Sequence, residues 1–263
     1  MTHLVIREEG PVVYATMNRP ERLNALNPKL VVELREFFTG LYLRPEIRVV
    51  VFSGAGRAFC AGLDLKEHPA ATMKDSVGDT LTAQRHFTGI VTAMRQCPQP
   101  IIALVNGAAI GAGFALAVAC DVRLATPTTR LNAGFIRIGL SACELGLSYF
   151  LPRMIGSSAA AEFLLTGRFI DGERARELGL VSRVVAEDRL EEEARGLVKD
   201  MLHAAPLGLR LTKDALNHGI DAPSLESAIA MEDRNQALCS RSDDYHEGIA
   251  AMLEKREPRY SDG

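Results

Sequence analysis

Two patterns of apolar residues alternate along the chain. Leu4-Val5-Ile6-Arg7 and Val12-Val13-Tyr14-Ala15-Thr16-Met17 flank Gly10-Pro11, which predicts a β-hairpin. Residues 28–43 place Leu30, Val31, Leu34, Phe37, Phe38 and Leu41 at helical spacing, with Asn27 as N-cap and Pro28 in the first turn. Residues 47–52 and 101–105 are short apolar runs that read as buried strands. A second helix is expected over 76–96, stopped by Pro98 and Pro100. Residues 110–120 are small, apolar and Gly-rich, as in a tightly packed buried helix, and 122–125 return to strand. After residue 157 the texture turns helical, over 157–166, 172–178, 188–204, 207–217 and 224–254, with one strand at 181–185. The alternation predicts an α/β core followed by a helical C-terminal third.

Composition narrows the function. The 263 residues are 47% hydrophobic and 24% charged, enough for a sizeable core. No Trp is present and the net charge is −3, which argues against a nucleic-acid partner. Five cysteines in no zinc-like spacing read as reduced thiols, so no metal site and a cytoplasmic location are expected. The first residues carry acids and no long apolar run, so neither a signal peptide nor a membrane span is expected.

Familiar motifs fail. Gly111-Ala112-Gly113 lacks the third glycine of a dinucleotide fingerprint, no phosphate loop occurs, and Gly139-Leu140-Ser141-Ala142-Cys143 misses the last glycine of a nucleophile elbow. Two segments stand out instead. One is Ala58-Phe59-Cys60-Ala61-Gly62-Leu63-Asp64-Leu65-Lys66, after a buried strand. The other is Val105-Asn106-Gly107 running into Ile110-Gly111-Ala112-Gly113. Both put small residues where backbone approaches something closely, and the second adds free helix N-terminal N–H groups. Such groups can hold a developing oxyanion; equally, the pattern serves tight packing and turns.

These segments resemble the crotonase superfamily, the enoyl-CoA hydratase/isomerase family. Matches in order include Asn18-Arg19-Pro20, Asn24-Ala25-Leu26, Phe59-Cys60-Ala61-Gly62-Leu63-Asp64, Gly111-Ala112-Gly113, Ala119-Cys120-Asp121, Leu165-Thr166-Gly167 and Gly179-Leu180-Val181. The resemblance implies a spiral of ββα units over residues 1–200 and a helical region over 201–263 that serves oligomerisation and covers the ligand. It implies a homotrimer or a dimer of trimers, and an acyl-CoA thioester as substrate. No cofactor is implied beyond the coenzyme A carried by the substrate. By the same resemblance, the backbone N–H groups of Cys60 and Ala112 hold the thioester oxygen. Arg22, Ala58, Gly62, Asp64, Leu65, Lys66, Gly111, Phe135 and Lys255 are the implied substrate contacts.

The chain departs from the hydratase pattern at the residues that activate water. Ala115 and Phe135 stand where the family's hydratases carry two glutamates. Glu144 lies in Gly139-Leu140-Ser141-Ala142-Cys143-Glu144-Leu145-Gly146, which resembles the loop where dienoyl-CoA isomerases and the chlorobenzoyl-CoA dehalogenase place a catalytic aspartate. One such carboxylate can move a proton between two carbons, so Glu144 is the candidate acid/base. The expected function is an enoyl-CoA hydratase/isomerase-type enzyme. A non-catalytic acyl-CoA-binding protein, or another thioester reaction such as hydrolysis or elimination, is the alternative. Residues near 68–90 and 131–150 are expected to set the acyl specificity.

Overall fold

A computed structural model of the chain describes residues 2–67 and 76–261. Two sheets carry the α/β part. The larger runs β1 (Leu4–Glu9), β2 (Val12–Met17), β3 (Val49–Gly54), β5 (Ile101–Val105), β7 (Val122–Ala125) and β10 (Arg183–Val184) in that spatial order. Only the β1–β2 hairpin in it is antiparallel. The smaller sheet orders β4 (Ala58–Cys60), β6 (Ala108–Ile110), β8 (Arg130–Asn132) and β9 (Ile170–Asp171).

The apolar runs are continuous because the larger sheet is covered on both faces. Alternation sends Val13, Ala15, Val50, Phe52, Ile101, Ala103 and Val105 to one side. There they meet α1 (Pro28–Gly40), α2 (Val77–Gln96) and α3 (Ala112–Ala119). Val12, Tyr14, Val49, Val51, Ile102 and Leu104 face the other side, under Leu190, Ala194 and Val198 of α7 (Leu190–Leu202). The expected start of the helical region at 201 thus falls in the last turn of a helix that packs on the sheet.

Local chemistry sets the helix ends. Asn27 accepts the Leu30 N–H at the start of α1, and Ser76 with Asp79 forms a capping box at the start of α2. All eight residues of α3 are buried, as its small apolar composition requires. Helices α4 (Leu147–Ile155), α5 (Ser157–Thr166) and α6 (Gly172–Glu177) add buried side chains to the same core, and α8 (Pro206–Gly219), α9 (Leu225–Cys239) and α10 (Asp243–Glu254) follow.

Three expectations are corrected. The helix expected over 224–254 is two helices, because Ser242 caps a new one by accepting the Tyr245 N–H. The strand at 181–185 is not alone in the C-terminal part, since β9 pairs there with β8. The helix expected from residue 110 begins at Ala112, after β6 and the left-handed Gly111.

Candidate active site

The two singled-out segments meet. Gly62 has φ +91°, and a methyl on it would lie 2.6 Å from the Ile110 carbonyl oxygen and 3.6 Å from the Ala112 nitrogen. A methyl on Gly113 would overlap the Cys60 carbonyl. Only glycine permits this approach of the α3 N-terminus to the end of β4. Ala112 is the first residue of α3, where no preceding turn exists to accept its N–H. In β4 the Phe59 N–H donates to the Asn106 carbonyl (2.8 Å), and just beyond it the Ala61 N–H donates to Leu23 (2.9 Å). Cys60 itself pairs with Ala109 of β6 and is fully buried, outside the cavity beside this junction.

The segment after Cys60 is clamped to the turn that follows β2. Leu26 N–H donates to the Gly62 carbonyl (2.7 Å) and Asp64 N–H to the Leu26 carbonyl (3.0 Å). Asn24, fully buried, accepts from the Arg19 N–H and donates to the carbonyls of Ala55 and Ala58. Arg19, only 4% exposed, donates to Asp64 Oδ2 (3.0 Å), Glu67 Oε1 (2.6 Å) and the Ala25 carbonyl. The Asn-Arg-Pro and Asn-Ala-Leu matches are thus the frame that holds the segment after Cys60.

A cavity of about 330 Å³ opens beside this junction. Gly62, Leu63 and Leu65 line one side and Gly111, Ala112 and Phe135 another. Phe87, Ile138, Leu140 and Leu145 make the rest mostly apolar. Glu144 is the one titratable side chain lining it among the described residues. Gln84 Nε2 donates to Glu144 Oε1. No described residue hydrogen-bonds the other oxygen. Leu145, next to Glu144, holds a left-handed backbone at φ +51°, an uncommon state for a branched side chain that marks this turn as strained.

Several expected contacts sit elsewhere. Asp64 is 5% exposed and both its oxygens are engaged internally, Oδ2 by Arg19 and Oδ1 by the N–H groups of Lys66 and Glu67. It locks the frame rather than facing the cavity. Burial raises its carboxyl, but Arg19 and those two N–H groups outweigh burial and hold it below its usual range. Ala58 is buried outside the cavity with its carbonyl taken by Asn24. Arg22, Lys66 and Lys255 are exposed and do not line the cavity. Ala115 is fully buried in α3, whereas Phe135 faces the cavity.

Burial pushes the Cys60 thiol up to about 12, so its side chain is no nucleophile near neutral pH. Among the described residues no cluster of His, Cys, Asp and Glu could hold a metal ion. The α2 contribution, Thr80, Gln84 and Phe87, falls in the 68–90 stretch expected to line the pocket, although none of the three was singled out. Their spacing of four and three puts them on one helix face, but polar Thr and Gln there carry no distinctive signal. Of the stretches expected to set specificity, residues 68–75 lie outside the described residues.

The family model described as Enoyl-CoA hydratase/isomerase matches residues 7–263. A Mycobacterium bovis protein named "Probable enoyl-CoA hydratase echA12" is 37% identical, covering 98% of this chain and 92% of its own. The 1,2-epoxyphenylacetyl-CoA isomerase of Escherichia coli is 32% identical, with 99% of both chains covered. The crystal structure of an enoyl-CoA hydratase from Bacillus anthracis superposes with a TM-score of 0.93 at 33% identity, over 99% of this chain and 100% of the other.

Proposed function

The chain belongs to the enoyl-CoA hydratase/isomerase family, and we propose that it shifts a carbon–carbon double bond in an acyl-CoA thioester, with Glu144 as the single acid/base. One observation carries this reading. Glu144 is the one ionisable side chain among the described residues lining the cavity beside the Gly62–Ala112 junction, and the rest of the lining is mostly apolar.

In this reading the thioester oxygen accepts hydrogen bonds from the N–H groups of Ala112 and Leu63, two residues that line the cavity; Cys60, expected in the place of Leu63, does not line it. Glu144 takes a proton from C2 of a 3-enoyl thioester. The electron pair spreads onto the oxygen as an enolate, where each fixed donor contributes about 3 kcal/mol. The protonated Glu144 then delivers the proton to C4. The C2–H bond breaks, a C4–H bond forms, and the double bond moves from C3–C4 to C2–C3. Water is not consumed.

Ordinary hydration needs groups to hold and activate water. Phe135 presents a ring to the cavity instead, and the buried Ala115 offers no polar atom. This favours proton transfer between carbons over addition of water.

Ligand binding beyond the reacting atoms follows from placement. Gly62, Leu65, Gly111 and Phe135 contact the acyl and thioester parts. The exposed cations Arg22, Lys66 and Lys255 are the candidates for the coenzyme A phosphates. The aromatic acyl group in the name of the Escherichia coli relative fits an apolar cavity flanked by Phe87 and Phe135, so a compact cyclic acyl group belongs among the substrates to try. No metal or redox cofactor takes part. The enzyme works in the cytoplasm as a homotrimer or dimer of trimers, whose interface buries the apolar side chains exposed on α8 to α10.

The test is spectrophotometric, with 3-hexenoyl-CoA and 2-hexenoyl-CoA offered separately. The reading predicts a gain of conjugated-thioester absorbance from the first. Loss of absorbance from the second at a faster rate would identify a hydratase and overturn it.

A further inference from the structure

We propose that Gln84 is the positioning residue for Glu144. From the wall of the cavity it holds one carboxylate oxygen and leaves the other to work. The inference rests on the reading of Glu144 as the acid/base, and deepens it.

Glu144 sits in a turn that cannot orient a side chain alone. It lies between the exposed Cys143 and the strained Leu145, and no described residue other than Gln84 hydrogen-bonds its carboxylate. A flexible glutamate on such a turn samples several rotamers, and proton transfer needs one. Gln84 comes from a rigid element of different origin. It lies two turns into α2, downstream of the Ser76–Asp79 capping box, and Ile90, Val91 and Met94 anchor that helix in the core.

The bond uses Nε2 of Gln84 and Oε1 of Glu144. An amide is suited to this role because it donates without carrying charge. It therefore adds no cation to compete for the proton that Glu144 must accept and return. Thr80 and Phe87, on the same face of α2, line the cavity on either side of Gln84. The helix thus serves both as acyl wall and as support for the base.

The experiment compares wild type, Gln84→Met and Gln84→Leu in the isomerisation of 3-hexenoyl-CoA, run in H2O and in D2O. Both variants keep a side chain of similar size and neither can donate a hydrogen bond. The proposal predicts that kcat falls by roughly 10²-fold in each, the scale of a misplaced reacting group, while KM stays within about twofold. It also predicts more solvent deuterium at C4 of the product, because a loosened Glu144 exchanges its proton before returning it. A packing role would instead move thermal stability or KM and leave the deuterium content unchanged; that result overturns the proposal. So does a wild-type kcat in either variant.

Glu144→Gln separates this from the reading beneath it. If Glu144→Gln is inactive while both Gln84 variants run at the wild-type rate, only the Gln84 proposal falls. If Glu144→Gln is fully active, or the wild type does not isomerise the probe, both fall.

Discussion

Asp64 and Arg19 do for the site what no cavity residue does. They are a buried pair, and the Arg19 guanidinium also reaches Glu67 and the Ala25 carbonyl. Removing one partner strands the other charge in the protein interior. Arg19→Leu should therefore cost about 3–5 kcal/mol of unfolding free energy, read from urea denaturation. The pair also gives stability a pH dependence of known sign. The Asp64 carboxyl titrates lower in the folded chain than its unfolded value of about 3.9. A depressed carboxyl contributes stability above its unfolded value and loses it as pH falls through its folded value. Stability from this group should thus be steady from pH 7 to about 5 and decline below pH 4. Asp64→Asn should remove that part of the acid-side decline. At this scale the sequence was partly legible. Glu144 stood out because it is the lone acid in a small, apolar stretch. Asp64 did not, because an acid that caps a turn and pairs with a distant arginine looks in sequence like one that meets a ligand.

Among elements, α3 carries the clearest prediction. Proline suits the first turn of a helix, where its missing N–H breaks no helical bond. Ala112→Pro should accordingly leave the fold intact while deleting one proposed oxyanion donor. The expected loss is about 10²–10³-fold in kcat, with circular dichroism unchanged. Wild-type turnover in that variant would remove Ala112 from the oxyanion hole. The long elements were readable from periodicity. Strands β5 and β7 and helix α5 fall where the apolar pattern put them. The smaller sheet was not readable, because its strands are two or three residues long and a period of two needs more. Helix α4 was hidden by Pro152 inside it and Gly146 at its start, residues that ordinarily punctuate. That matters for the site, since the Glu144 turn is the entry to α4, and no sequence pattern shows it folding over the α2 face that carries Gln84.

For the whole molecule, the C-terminal helices present a broad exposed apolar surface. No residue of α9 is buried. Leu216, Leu225, Leu238, Met252 and Leu253 are each more than half exposed. A hollow of about 840 Å³ between α8 and α9 opens on the same region. So many large apolar side chains on neighbouring helices are what an interface between copies leaves uncovered in one chain. Sedimentation equilibrium should return about three or six times the 28.6 kDa chain mass. A 28.6 kDa species at micromolar concentration would overturn the assembly proposal. The helical character of this third was legible from composition. Its exposed apolar surface was not, because exposure is a property of packing and not of any single helix.

The proposed chemistry turns on one carboxylate, Glu144, moving the proton. The most direct test is turnover of 3-hexenoyl-CoA by Glu144→Gln beside the wild type, with acyl-CoA affinity measured on both by calorimetry. The expected kcat is lower by about 10²–10⁴-fold, the range of a lost general acid/base, at unchanged affinity. Wild-type turnover in Glu144→Gln would rule this out, and the proton would then have to travel through a group other than the one acid that the described residues place on the wall of this cavity.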